Sequence, residues 1–164
     1  MKTILGMTLA ILTGLATRDA TALEAACPLQ GTWTLVAADK LLPGGGRARD
    51  YGQSPKGRLL VDARGRYSLQ IFKSERAPFA SDDKARGSAD EFASAVLGAS
   101  THFGVLEVDA AHGLLTFRIE GASFPNWEGT IQKRQYTLEG GVLTYQVPAR
   151  PDGSIPLSVW RKLD

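Results

Sequence analysis

Residues 58–73 read RLLVDARGRYSLQIFK and contain two strand-like runs joined by a very short link. In the second run, Tyr67, Leu69 and Ile71 alternate with polar residues, so one face of the strand is apolar. The link Ala63-Arg64-Gly65 ends in a glycine, which tight turns between antiparallel strands favour. The stretch therefore predicts a β-hairpin with one buried face.

The same pattern recurs along the chain and predicts eight strands. The links 110–113 and 139–141 are also short and contain glycine, whereas the connections between these hairpins are long. If the strands run up and down, the short turns lie at one end and the long connections at the other. We therefore predict an all-β fold, an eight-stranded antiparallel up-and-down barrel with one open end. The predicted strands are 30–38, 58–62, 66–73, 101–109, 114–121, 130–138, 142–147 and 155–162.

Alternation also assigns side chains of the later strands to one face or the other. In the last strand it groups Arg161 with Leu157 and Val159 and puts Trp160 on the opposite face. Eight strands enclose packed side chains or one small ligand. The other side chains predicted to face inward are Leu115, Phe117, Ile119, Leu143, Tyr145 and Val147.

Residues 1–22 have the pattern of a cleaved secretory signal. Lys2 precedes an apolar run over residues 4–16, and small residues follow at Ala20-Thr21-Ala22. We expect cleavage after Ala22, a lead-in over residues 23–29 and one barrel domain over residues 30–164. The mature protein is then secreted or periplasmic. The apolar run is shorter than the roughly 20 residues that a membrane-spanning helix needs, so we expect no membrane span.

A lipid anchor at Cys27 is the alternative use of this segment. Glu24 and the distance between Cys27 and the apolar run fit a lipid anchor badly. Cys27 is the single cysteine of the 164-residue chain, so no disulfide can form within it. Two histidines and one cysteine do not offer metal-ligand spacing, and no phosphate-binding loop occurs, so we expect neither metal nor cofactor. A formal charge of +2 without a basic run gives no case for nucleic acid.

The long connections carry their own signals. Residues 74–100 contain a capping box, in which Ser88 is followed three residues later by Glu91, and an apolar helix face that begins at Phe92. This predicts one short α-helix, which we expect to pack across the open end. The connection 122–129 holds two large aromatic rings and is expected to fold inward.

Gly31-Thr32-Trp33 at the start of the first strand resembles the Gly-x-Trp motif of the lipocalins, and Arg161 resembles their C-terminal arginine. The resemblance implies that Gly31, Trp33 and Arg161 are structural, with Arg161 stacked on the Trp33 ring at the closed end. Residues 30–162 are similar to the bacterial and fungal lipocalin-like domain family, a calycin-type barrel. The motifs that carry this are Asp50-Tyr51-Gly52, Pro55-Lys56-Gly57, Gly65-Arg66-Tyr67-Ser68, Phe79-Ala80-Ser81, His102-Phe103-Gly104, Ile119-Glu120-Gly121, Phe124-Pro125-Asn126-Trp127-Glu128-Gly129-Thr130 and Val159-Trp160-Arg161.

Candidate functional residues gather near the open end. Pairing across the turn at 110–113 places His102 opposite Gly121 and Glu120 opposite Phe103. Arg134 shares a face with Tyr136, and a buried guanidinium needs a partner, which a protein carboxylate or a carboxylate-bearing ligand can supply. The predicted ligand-binding residues are Tyr51, Tyr67, Phe79, Phe92, His102, Phe117, Phe124, Asn126, Trp127, Arg134 and Tyr145.

Three functions follow from this reading. The first is a secreted or periplasmic protein that binds a small, largely apolar molecule in the barrel. The second is an isomerase, cyclase or hydratase, in which His102 transfers a proton together with Glu120 or Glu128. In the third, side chains fill the barrel and the loops bind a protein partner. The sequence does not identify the ligand or the oligomeric state.

Overall fold

Eight antiparallel strands close into a barrel in the computed structural model, which describes residues 26–163. Successive barrel strands pair with each other, and pairing of the first strand with the last closes the ring. The strands are β1 (Gly31–Leu41), β2 (Arg47–Ala48), β3 (Lys56–Val61), β4 (Arg66–Phe72), β5 (Ala99–Asp109), β6 (Leu114–Ala122), β7 (Ile131–Glu139), β8 (Val142–Gln146) and β9 (Ile155–Leu163), with the helix α1 at Ala89–Leu97 and 3-10 turns at Lys84–Arg86 and Pro125–Trp127.

The predicted all-β, up-and-down barrel is confirmed, with its helix and all eight of its strands. The structure adds the two-residue strand β2, which pairs with the end of β1 and does not belong to the closed ring. It also extends β1 to Leu41 and starts β5 at Ala99. The extended ends of β1 and β5 pair with residues far along the chain, Leu41 with Ile155 and Ala99 with Phe72, and β2 is too short to show alternation.

Side chains from every second residue of each strand point inward and fill the closed end of the barrel. The inward sets predicted for the β4 and β6 strands are buried, and so are Leu143 and Tyr145 of β8. In β9 the assignment from alternation holds for Leu157, which is buried, but it is wrong for the end of the strand, because Trp160 is fully buried and Arg161 is exposed. A tryptophan ring removes far more apolar surface from water than a valine side chain does, so its burial decides which face turns inward.

Trp33 anchors the closed end of the barrel. Its indole N–H donates to the Leu29 carbonyl at 2.9 Å, and both residues are buried. The Nζ of Lys162, not Arg161, lies 5.5 Å from the Trp33 ring centroid. The expected stacking of Arg161 on Trp33 is therefore wrong. The strand register gives the reason, because Lys162 pairs directly with Trp33 whereas Arg161 pairs with Thr34.

Gly31 makes room for this contact. A Cβ atom at Gly31 would lie 2.9 Å from Cε of Lys162, so a larger residue would push the lysine stem away from the tryptophan ring. The backbone of Gly31 also has a φ of +132°, which side chains with a Cβ atom rarely adopt, so this φ, more than the contact with the flexible lysine, explains the glycine of the Gly-x-Trp motif.

A β-bulge interrupts the pairing of β5 with β6. The register shifts between Phe103 and Gly104, so His102 pairs with Ala122 instead of Gly121 as predicted. A Cβ atom at Gly104 would lie 2.0 Å from the Arg118 carbonyl oxygen, so only glycine permits this approach. The bulge leaves Glu120 without a partner in the β5 register.

The helix α1 begins with the predicted capping box between Ser88 and Glu91. It contacts β5 and contains no buried residue. Phe92 packs edge-on against Phe79, with ring centroids 5.4 Å apart. Within the described residues, no helix is long and apolar enough to cross a bilayer. The predicted signal segment, residues 1–22, lies outside the described residues.

Candidate functional site

A cavity of about 610 Å³ occupies the upper part of the barrel and opens at the end that carries the long connections. Its walls come from strands around the barrel and from the loops at its mouth. The lining residues are Ala38, Asp39, Asp50, Tyr51, Leu69, Ile71, Ser100, His102, Trp127, Ile131, Gln132, Lys133, Arg134, Tyr145, Val147, Pro148, Arg150, Pro156, Leu157 and Ser158.

Arg134 of β7 is a buried positive charge in the cavity wall. Its side chain points into the barrel, on the same face of β7 as the side chain of Gln132. The Gln132 Oε1 atom accepts a hydrogen bond from Arg134 Nη2 at 2.8 Å. Its guanidinium carbon lies 4.3 Å from the centroid of the Phe117 ring and 5.0 Å from that of Tyr145. These aromatic faces stabilise the cation in part, but they supply no hydrogen-bond acceptor for the Nε–H.

Two polar atoms of this wall have no hydrogen-bond partner. They are Arg134 Nε and the hydroxyl oxygen of Tyr145, and both are buried. A buried donor without a partner costs about 1–3 kcal/mol. The indole nitrogen of Trp160 also has no partner, but Trp160 does not line the cavity. The unpaired atoms of Arg134 and Tyr145 therefore leave unused hydrogen-bonding capacity at one place in the cavity.

His102 and Tyr67 form a buried polar pair next to Arg134. The Tyr67 hydroxyl lies 2.7 Å from His102 Nδ1, and Arg134 Nη2 lies 3.5 Å from His102 Nε2. A guanidinium only donates, so the Arg134 contact requires the tautomer in which Nε2 accepts, whereas the Tyr67 contact fits either tautomer of the His102 ring. The pair thus joins the wall of the cavity to the aromatic layer beneath it.

Burial keeps both members of this pair uncharged at neutral pH. Burial first, and the positive charge of Arg134 second, lower the pKa of His102 to about 3. Burial raises the pKa of Tyr67 well above its usual value. His102 is therefore a neutral imidazole at neutral pH, which suits hydrogen bonding better than proton transfer.

An ion pair joins two loops at the mouth of the cavity. Arg150, in the connection after β8, donates to Asp50, in the connection after β2, with an Nη2–Oδ2 distance of 2.7 Å. Lys40 Nζ lies 3.6 Å from the same carboxylate. Burial would raise the pKa of Asp50, but the hydrogen bond and charge of Arg150, with Lys40, outweigh it and hold that pKa below its usual value. The ion pair braces the mouth.

Tyr51 lies in the same braced loop and lines the cavity. Its backbone N–H donates to the Ala38 carbonyl at 3.0 Å, which ties the loop to β1. Burial, and next the charge of Asp50, raise the pKa of the Tyr51 hydroxyl, which stays protonated at neutral pH. Tyr51 therefore contributes a neutral phenol to the cavity lining.

The structure brings only some of the predicted site residues together. Tyr51, His102, Trp127, Arg134 and Tyr145 line the cavity. Tyr67 and Phe117 lie beneath it and touch its lining, since Tyr67 contacts His102 and Phe117 stacks below Arg134. The residues that the structure places outside the lining are Phe79, Phe92, Phe124, Asn126, Glu120 and Glu128.

Glu120 and Glu128 lie on the outside of the barrel. Both are exposed and border an outer groove over β4, β5 and β6, which shares Leu69 and His102 with the lining of the cavity. Glu128 accepts a hydrogen bond from the Ala122 backbone at 3.2 Å, so it holds its own loop in shape. His102, in contrast, turns its ring into the barrel towards Tyr67. His102 also borders the outer groove that Glu120 and Glu128 line. Among residues 26–163, however, no hydrogen bond or ion pair joins His102 to either glutamate, and its Nδ1 is hydrogen-bonded to Tyr67 inside the barrel, so the structure shows no His–Glu pair set for proton transfer.

Several lining residues were not predicted from the sequence. Gln132 could have been found, because it shares strand parity with Arg134. Asp50 and Arg150 had no such signal, since the two partners lie far apart in the chain. Among residues 26–163, no group of three or more His, Cys, Asp or Glu side chains is placed to hold a metal ion.

Comparison with known families gives one match. A family model described as a lipocalin-like domain matches residues 30–162. No match was found among curated proteins or among solved structures.

Proposed function

Because the chain belongs to the lipocalin-like domain family, we propose that it binds a small, largely apolar molecule inside its barrel. The observation that carries this proposal is the open cavity of about 610 Å³. Cavities that bind small molecules commonly span about 300–1,000 Å³ and combine apolar walls with a few polar groups. Leu69, Ile71, Trp127 and Val147 supply apolar wall, and the polar groups gather around Arg134.

Binding of a neutral apolar dye tests this proposal. The probe is N-phenylnaphthylamine (NPN), whose fluorescence rises when it leaves water. We expect saturable binding at one site in the native protein. Ser100→Trp, which places a large side chain in the lining, should weaken it, whereas Ser68→Trp on the outward-facing side of β4 should not. Equal NPN binding by both variants and the native protein would contradict a site inside the barrel.

Native mass spectrometry of the protein purified from its own host supplies an independent test. A bound small molecule of constant mass is the expected result. A barrel that is always empty, together with a co-purifying protein, would favour the reading in which the loops bind a protein partner.

We also propose that the protein acts outside the cytoplasm. Lys2, the apolar run at residues 4–16 and the small residues at Ala20-Thr21-Ala22 support this proposal. The intact mass of the protein from its own host is expected to correspond to a chain that begins at Leu23. A mass that still includes residues 1–22, or a lipid attached at Cys27, would contradict cleavage after Ala22.

A further inference from the structure

Arg134 differs from the carboxylates that line the cavity, which are paired, and from Lys133, which is exposed to solvent. Asp39 is paired with Arg47 at 2.6 Å, and Asp50 is paired with Arg150 at 2.7 Å. None of the ion pairs formed among residues 26–163 involves Arg134, although its side chain is only 6% exposed. A buried guanidinium therefore faces the cavity without a counter-charge.

The surroundings of Arg134 are built for an acceptor. Its Nε–H and the Tyr145 hydroxyl are both buried without hydrogen-bond partners, and both residues line the same cavity. The partners it does have, the Gln132 amide oxygen and the His102 ring, are neutral. An oxyanion beside Arg134 would supply the missing charge, because a planar guanidinium matches a carboxylate in geometry as well as charge. The Nε–H and the Tyr145 hydroxyl, which solvent does not reach, would donate to it after a small shift of the two side chains.

We propose that Arg134 binds the anionic group of an amphipathic ligand, a carboxylate or a related oxyanion, with the Tyr145 hydroxyl as a second donor. This inference rests on the proposed function and adds the chemical class of the ligand. The apolar part of the ligand then lies against Leu69, Ile71 and Trp127 of the same cavity. Charge recognition at the wall and apolar packing towards the mouth give the ligand one orientation.

A pair of dyes that differ by one anionic group tests the inference. Anilinonaphthalene sulfonate (ANS) shares its aromatic skeleton with NPN and adds a sulfonate. Arg134→Met should weaken ANS binding roughly tenfold to a hundredfold, the effect of losing a hydrogen bond to a charged group, and leave NPN binding unchanged or tighter. Arg118→Met is the matched control, because Arg118 is exposed and paired with Glu107 on the outer face.

The folded state of the variants is checked by thermal melting. Arg134→Met should melt at or above the temperature of the native protein, because it removes a buried charge that has no counter-charge. Arg134→Lys keeps the charge without the planar fork, and it should bind ANS more weakly than the native protein but more tightly than Arg134→Met. It therefore keeps the test valid if the methionine variant does not fold.

Competition for bound NPN distinguishes the sources of the anion. Octanoate displacing NPN better than octyl sulfate identifies a carboxylate ligand, and the reverse order identifies a sulfate ester. Octanol displacing NPN as well as either anion would overturn the inference, and so would an equal loss of ANS and NPN binding in Arg134→Met. Failure of NPN to bind the native protein would instead count against the apolar cavity, and hence against the proposed function.

Discussion

The closed base and the open cavity of the barrel differ in whether a buried polar group has a hydrogen-bond partner. At the base, the N–H of Trp33 donates to the Leu29 carbonyl at 2.9 Å, and Lys162 covers the ring. In the cavity wall, Arg134 Nε is equally buried but has no partner. The hydrogen-bonded indole N–H stabilises the fold. The Arg134 Nε–H, which has no acceptor, lowers the stability of the free protein, and a bound acceptor would remove that cost. The comparison separates the part of the molecule that holds the barrel together from the part that meets a ligand.

Removal of the anchor at the base should have the largest effect on stability. Trp33→Ala should lower the free energy of unfolding by about 3–5 kcal/mol, because it leaves a cavity in a packed core and frees the Leu29 carbonyl. Chemical denaturation measures the loss. Trp127→Ala is the control, since Trp127 is only half-buried at the cavity and should cost less. A larger loss at Trp127 than at Trp33 would reverse the comparison.

The cavity wall should be sensitive to pH through His102. Folding lowers the pKa of this histidine from 6.5 to about 3, so between these values the unfolded chain binds more protons than the folded one. Stability should therefore fall as the pH drops through this window, by about 1.4 kcal/mol per pH unit for one such proton. His102→Asn removes the titrating group and should flatten the pH profile of the free energy of unfolding. Parallel profiles for the two proteins would show that His102 is not the cause.

The smallest expected effect concerns the residue that covers Trp33. Lys162→Ala should destabilise the protein by about 0.5–1 kcal/mol, the range of an exposed cation–π contact. Arg161→Ala should leave stability almost unchanged, because the Arg161 side chain is exposed. A larger loss of stability for Arg161→Ala than for Lys162→Ala would show that Arg161 stabilises the closed end, as the family resemblance implies.

Much of the fold was predictable because its signals are local. Alternation and glycine-containing turns lie within single hairpins, as in residues 58–73, and they fix strand positions and one open end. The failures have tertiary causes. The bulge at Gly104 shifts the β5–β6 register above the turn, and the inward turn of Trp160 depends on what it packs against across the barrel.

The candidate site was predictable only in part. Alternation indicated an inward Arg134, and the cost of burying a guanidinium predicted that it needs a partner. It did not show that Glu120 and Glu128 lie outside the barrel, nor that Asp50 and Arg150 pair across the mouth. These facts depend on residues that are distant in sequence and meet only when the barrel closes.

The sequence by itself determined the barrel, its closed base and the end that stays open, because strand parity and turn chemistry act between near neighbours in the chain. Only the tertiary structure decided that Arg134 faces the cavity without a counter-charge. An ion pair is made or missed according to which distant side chains come within a few ångströms of each other, and that distance is set by the closed sheet rather than by the spacing of residues along the chain.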